Sequence, residues 1–130
     1  MSTIKADTVQ NTTGGPVTLT QQSAAKAWVN FNGTGTIAAR DSFNLSSLTD
    51  HGGGDYSVNF TNSFGNANYS MGGWCGYPGS RIGVFGDDSS WTLYSTSSFR
   101  MKTSYPSGTN GEANPFDVTY SNENFHGDLA

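Results

Sequence analysis

The residues that could do chemistry in this chain are few and widely spaced. Asp87-Asp88 sit in a Gly-Asp-Asp-Ser turn, and Asp50 and Asp55 flank a glycine run. Glycoside hydrolysis needs two carboxyls about 5 to 9.5 Å apart across a substrate cleft, whereas adjacent acids in such turns cap the backbone and face water. His51 stands at the tip of the glycine run and His126 in what reads as a C-terminal tail; neither has a base or ligand partner in sequence, and no GxSxG elbow or HExxH helix is present. Gly33-x-Gly35-x-x-Ala38 imitates a dinucleotide-binding turn, with Asp55 further along. That turn works only where the third small residue opens a helix facing the pyrophosphate, and Thr36 to Ser47 has neither helical periodicity nor helix-forming composition. The single cysteine, Cys75, excludes an intrachain disulfide and reads as a buried or half-buried thiol. These residues assign no catalytic group, metal or cofactor, and the chain is not read as an enzyme.

Aromatic residues offer a different chemistry. Trp74, Tyr77, Trp91 and Tyr94 lie beside Asn, Asp and Ser. Flat rings flanked by fixed polar groups suit a neutral glycan, whose C–H faces stack on the rings while its hydroxyls find partners. A competing reading makes Trp91 and one tyrosine core, with Trp74 covering it.

Composition narrows the setting. The net charge is −4 and the six basic residues are scattered, which argues against nucleic acid. No apolar run approaches the roughly 18 residues of a membrane span, and MSTIKADTVQ has no signal-peptide core, so a soluble chain without its own export signal is expected. Only 34% of residues are hydrophobic and 12% charged. A thin core is expected, with stability borrowed in part from neighbouring subunits.

The elements that would position these residues read as strands. In Asp55 to Thr61, Tyr56, Val58 and Phe60 share one face, as a half-buried strand requires. His51-Gly52-Gly53-Gly54 reads as the hairpin reversal before it, and Ser42 to Asp50 as its pairing strand. Keeping Phe43, Leu45 and Leu48 all on the buried face needs an extra residue near Ser46-Ser47, which predicts a bulge there. Ala27 to Asn32 turns Val29 and Phe31 to one side and Trp28 to the other, and Trp28 is a candidate subunit contact. Another strand starts at Thr36 to Arg40.

Further strands are expected at Tyr69 to Met71, Arg81 to Phe85, Ser90 to Thr96, Phe99 to Thr103 and Phe116 to Tyr120. Gly72 to Gly79 reads as a glycine-rich aromatic loop and Pro106 to Pro115 as a long turn. Short strands at such spacing predict an all-β fold, a small antiparallel β-sandwich or barrel spanning residues 24–130. Residues 1–23 hold no aromatic residue and read as an extended N-terminal arm. Its apolar residues Ile4, Val9, Val17 and Leu19 could pair with a neighbouring subunit; a floppy terminus is the competing reading.

The segment AAKAWVNFNGTGT...ARDSFNLSSLTDHGGGDYSVNFTN, with STIKADTVQNTTGGPVTLT before it and GDLA at the end, resembles a module of tail-fibre and related structural proteins of marine bacteriophages. The resemblance covers residues 1–70, departs at His51-Gly52-Gly53, and does not extend over residues 71–125. It implies a virion protein, homotrimeric, placed on the tail as a fibre, tip or spike and assembled in the host cytoplasm. Other tail or capsid proteins would be its partners, and a host-surface glycan a further one. It carries no catalytic residues across. A capsid decoration or tail adaptor protein would share the same polar, β-rich, arm-bearing character. In a threefold assembly the Cys75 thiols cannot all pair, so they are expected to stay reduced.

Overall fold

A computed structural model of the chain describes residues 10–15, 24–77, 81–82, 84–86, 92–106 and 113–130, without the side chains of residues 77, 81–82, 84–86, 106 and 113. Among these described residues ten strands follow in order: β1 (Ala27–Asn32), β2 (Ala38–Phe43), β3 (Leu45–Gly52), β4 (Asp55–Phe60), β5 (Ser70–Tyr77), β6 (Arg81–Ile82), β7 (Val84–Gly86), β8 (Ser98–Pro106), β9 (Ala113–Pro115) and β10 (Tyr120–His126). No helix occurs among the described residues. Sheet I has the order β2-β1-β10-β5-β6 and sheet II the order β3-β4-β8-β7, with β9 also on β8. Every pairing is antiparallel. The chain is thus an all-β, sandwich-like domain.

The inner faces follow the period of two. Val29 and Phe31 on β1 and Phe125 on β10 meet Tyr56, Val58 and Phe60 on β4 and Phe99 and Met101 on β8. Phe60 is a hub of edge-on ring contacts, 5.0 Å from Phe64, 5.8 Å from Tyr69 and 5.1 Å from Phe125. Each fully buried Phe contributes roughly 1.5–3 kcal/mol relative to exposure, so a few well-packed rings offset the low apolar content.

The β3–β4 hairpin keeps the expected alternation and the expected bulge. Leu45 pairs with Phe60 and Ser47 with Asn59, which leaves Ser46 as the extra residue. Its pairing strand is shorter than Ser42 to Asp50, however. Asn44 adopts a left-handed backbone (φ 59°), and there the chain leaves sheet I and enters sheet II. Parity cannot be carried through such a corner. Leu45 and Leu48 pack on the core, while Phe43 belongs to β2, lies opposite Trp28 and is 51% exposed.

Other boundaries also differ. Gly72 to Tyr77 is not a loop but most of β5, paired along its length with β10. Arg81–Ile82 joins sheet I and Val84–Gly86 joins sheet II, so the expected single strand serves both sheets. Residues 92–96 form no strand, only a bridge from Tyr94 to Phe99. Pro106 and Ala113–Pro115 pair across the expected long turn. Near the C-terminus the strand is Tyr120–His126 rather than Phe116 to Tyr120, and His126 lies in it, not in a tail. This strand sits at the centre of sheet I with an inner face of Ser121, Glu123 and Phe125. Two polar residues among those three hide it from a hydrophobic pattern.

Candidate functional site

The outer face of sheet I is built by the residues between those inward positions. β1 presents Trp28, Asn30 and Asn32; β10 presents Tyr120, Asn122 and Asn124; β5 presents Gly72, Trp74 and Gly76. The register aligns them in rows: Phe43, Trp28, Asn124 and Gly72 in one, and Asp41, Asn30, Asn122 and Trp74 in the next. In the row beyond, Tyr120 lies opposite Gly76.

Trp74 is 56% exposed and Tyr120 43%, unusual for large rings outside a binding surface. They are coupled through a glycine. The indole of Trp74 lies across Gly76, whose missing side chain leaves it room, and reaches Tyr120 with ring centroids 6.5 Å apart and planes 28° from parallel. A glycine in a strand often marks such a close approach.

Arg40 completes the group from the other side. Ala39 pairs with Phe31 and Asp41 with Asn30, so Arg40 is the extra residue of a β-bulge, a device that re-aims a side chain. Its guanidinium carbon sits 4.8 Å from the centre of the Tyr120 ring. Nη1 donates to Asn30 Oδ1 (3.1 Å) and to the Phe31 carbonyl (2.7 Å), and Nη2 donates to the Thr119 carbonyl (2.6 Å). The cation is held at three points rather than swinging free. Tyr120 therefore stands between a fixed guanidinium and a broad indole, above a strip of Asn side chains.

Of the four aromatic residues singled out for binding, Trp74 lies on this face. Tyr94 does not: it is half-buried against Tyr69 and Phe99, with centroids 5.1 Å away in both cases. Trp91 and the side chain of Tyr77 lie outside the described residues, as do Ile4, Val9, Val17 and Leu19. Trp28 is on the face, half-buried, beside exposed Phe43. Tyr120 and Arg40 were not legible as site residues. An alternation of Tyr, Asn and Asn against Ser and Glu marks Tyr120 only once the strand is known, and Arg40 depends on the bulge.

The other polar candidates are occupied structurally. Asp55 takes Nε and Nη2 of Arg100 at 2.9 and 2.8 Å, which holds its carboxyl below the usual range. Asp50 caps the Gly52 amide at 2.8 Å. His51 Nε2 lies 2.9 Å from Ser57 Oγ, but Ser57 is buried and both nearby carboxylates are engaged elsewhere. Gly33 and Gly35 lie between β1 and β2, where Gly33 donates to the Val118 carbonyl at 2.8 Å, so no helix follows to receive a phosphate. Asp87 and Asp88 lie outside the described residues. Among the described residues no group of three His, Cys, Asp or Glu could hold a metal.

Beneath the face, on the inner side of sheet I, is one buried acid. Glu123 accepts a hydrogen bond from Ser121 Oγ at Oε1, while Oε2 has no partner. Burial pushes its carboxyl up to about 8. Cys75, opposite Ser121, is a free buried thiol raised to about 12, by burial first and by Glu123 second. A thiol so protonated is a poor nucleophile. The chemistry that the described outer face of sheet I offers is stacking, amide hydrogen bonding and the anchored positive charge of Arg40. No family model, curated protein or solved structure matches the chain.

Proposed function

We propose that this chain is a structural subunit of a phage virion, a homotrimeric tail-fibre or tip protein, and that the outer face of sheet I holds a glycan of the host surface. The resemblance of residues 1–70 to tail-fibre modules supports the virion part. The glycan part rests on one observation: Trp74 and Tyr120, two of the three exposed large rings among the described side chains, lie nearly parallel and border the amides of Asn122 and Asn124. Sugars bind by stacking on such rings while amides take their hydroxyls. One such site is weak. Copies linked in a trimer raise the effective concentration for each further contact, and modest affinities add up to firm attachment.

A second reading is a virion protein without a receptor, either capsid decoration or tail adaptor. Trp28 and Phe43, paired on the same face, favour it, since a neighbouring subunit could cover them. Two measurements separate the readings. Binding of purified protein to host envelope material, lost on Trp74→Ala and Tyr120→Ala but retained by Trp28→Ser, supports the receptor. A solution mass that falls from trimer to monomer in Trp28→Ser with Phe43→Ser, with no envelope binding by the unaltered protein, supports the structural role. A stable monomer at micromolar concentration counts against both.

A further inference from the structure

Arg40 is held by three acceptors, yet two of its five N–H groups have none. Nη1 spends both of its hydrogens on Asn30 and Phe31, and Nη2 spends one on Thr119. Among the described residues the Nε–H and the second Nη2–H have no acceptor. These two atoms make up the edge with which Arg100 grips the Asp55 carboxylate in sheet II. Two parallel N–H donors on a planar cation match a carboxylate and give such a pair directional specificity.

We propose that the glycan bound on sheet I is acidic: an oligosaccharide in which a hexuronic acid places its carboxylate on the open edge of Arg40, while a neighbouring sugar rests on Trp74. This rests on the glycan reading above and narrows its substrate class. The order along the face is Arg40, Tyr120, Trp74, so the charged and stacking subsites are one aromatic ring apart. A chain of at least two sugars is needed to use both, and it runs across the strands. A neutral sugar would bring no opposite charge to the anchored cation, whose exposed donors would bond water or a hydroxyl about equally well. Asp41 shares the face and its charge works against an anion; its Oδ1 accepts from the Ser42 amide at 2.8 Å, which leaves that charge in place, so the preference for an acid has to come from the direct pairing with Arg40. The bulge matters here: it makes Arg40 an extra residue with no Cα partner on β1, and its guanidinium turns toward Tyr120.

The test uses the full chain and a panel of oligosaccharides of galacturonic, glucuronic and mannuronic acid, their methyl esters and the matching neutral hexose oligomers. At least one acid is expected to bind about tenfold or more tightly than its own ester, with the preference shrinking as salt rises. Arg40→Gln should erase that preference, and Trp74→Ala should weaken acid and ester alike. The acid and ester comparison on unaltered protein stands even if Arg40→Gln folds poorly. Equal binding of acid, ester and neutral oligomer overturns the acidic specificity and leaves the glycan reading in place. Binding by no member of the panel, with envelope binding unchanged in Trp74→Ala, overturns both.

Discussion

The indole of Trp74 lies across Gly76, two residues further along the same strand: a Cβ at Gly76 would come within 2.8 Å of Cζ2 and 3.0 Å of Cη2. Gly76→Ala should therefore lift the ring away from Tyr120 while leaving the sheet intact, because the obstructed atoms are the far end of a side chain that can turn. The expected result is a changed near-ultraviolet circular dichroism spectrum and several-fold weaker glycan binding, with stability altered by no more than about 1 kcal/mol. Unchanged binding would show that the Trp74–Tyr120 arrangement is not the recognition surface.

Glu123 makes stability depend on pH. Its carboxyl rises from an ordinary 4.5 to about 8 because burial disfavours the anion. The folded chain thus binds the proton more tightly than the unfolded chain does. Stability from this group is complete below about pH 4.5, declines as pH rises, and levels off above about 8. The total loss is a few kcal/mol, at about 1.4 kcal/mol for each unit between the two values. Urea unfolding midpoints should fall between pH 5 and pH 8 in the natural chain and stay nearly level in Glu123→Gln, which cannot ionise.

Gly54 and Gly53 are neighbours with opposite demands. Gly54 has φ +73°, and a Cβ there would meet the Thr103 carbonyl at 2.5 Å and the Phe116 amide at 2.7 Å, both backbone. Gly54→Ala should cost more than about 3 kcal/mol or prevent folding. Gly53 has open space around its Cβ position, so Gly53→Ala should lie within about 0.5 kcal/mol of the natural chain. Thermal melts of the two variants side by side check both.

Tyr56 ties three distant segments. Its buried hydroxyl donates to Asp117 Oδ1 at 2.8 Å and lies 3.1 Å from the Gly33 carbonyl, while the same Asp117 oxygen takes the Gly54 amide at 2.8 Å. Tyr56→Phe should cost about 1–2 kcal/mol in urea unfolding, since Asp117 keeps one of its donors. A loss under about 0.5 kcal/mol would mean that water replaces the hydroxyl.

How legible each part was depends on what fills its inward positions. β1 and β4 were readable because Val29, Phe31, Tyr56, Val58 and Phe60 are large and apolar at every second place. β10 and β5 were not, because their facing inner residues include Ser121 and Glu123 on one strand and Gly73 and Cys75 on the other. Phe43 was misplaced because a left-handed residue follows it, and alternation holds only within an unbroken strand. The site divides in the same way: Trp74 is conspicuous in sequence, Tyr120 requires β10, and Arg40 requires the bulge opposite Asn30 and Phe31.

The corner at Asn44 constrains how the two sheets can move. Its side chain donates to the carbonyls of Lys26 and Asn62, each at 3.0 Å, and accepts the Asn62 amide at 2.7 Å, so one residue clasps the approach to β1, the β2–β3 crossing and the end of β4. The opposite margin is tied as well, because a single residue of sequence separates β6, at the end of sheet I, from β7, at the end of sheet II. Arg40 and Trp74 thus share a sheet that is joined by the chain to its partner sheet at both margins.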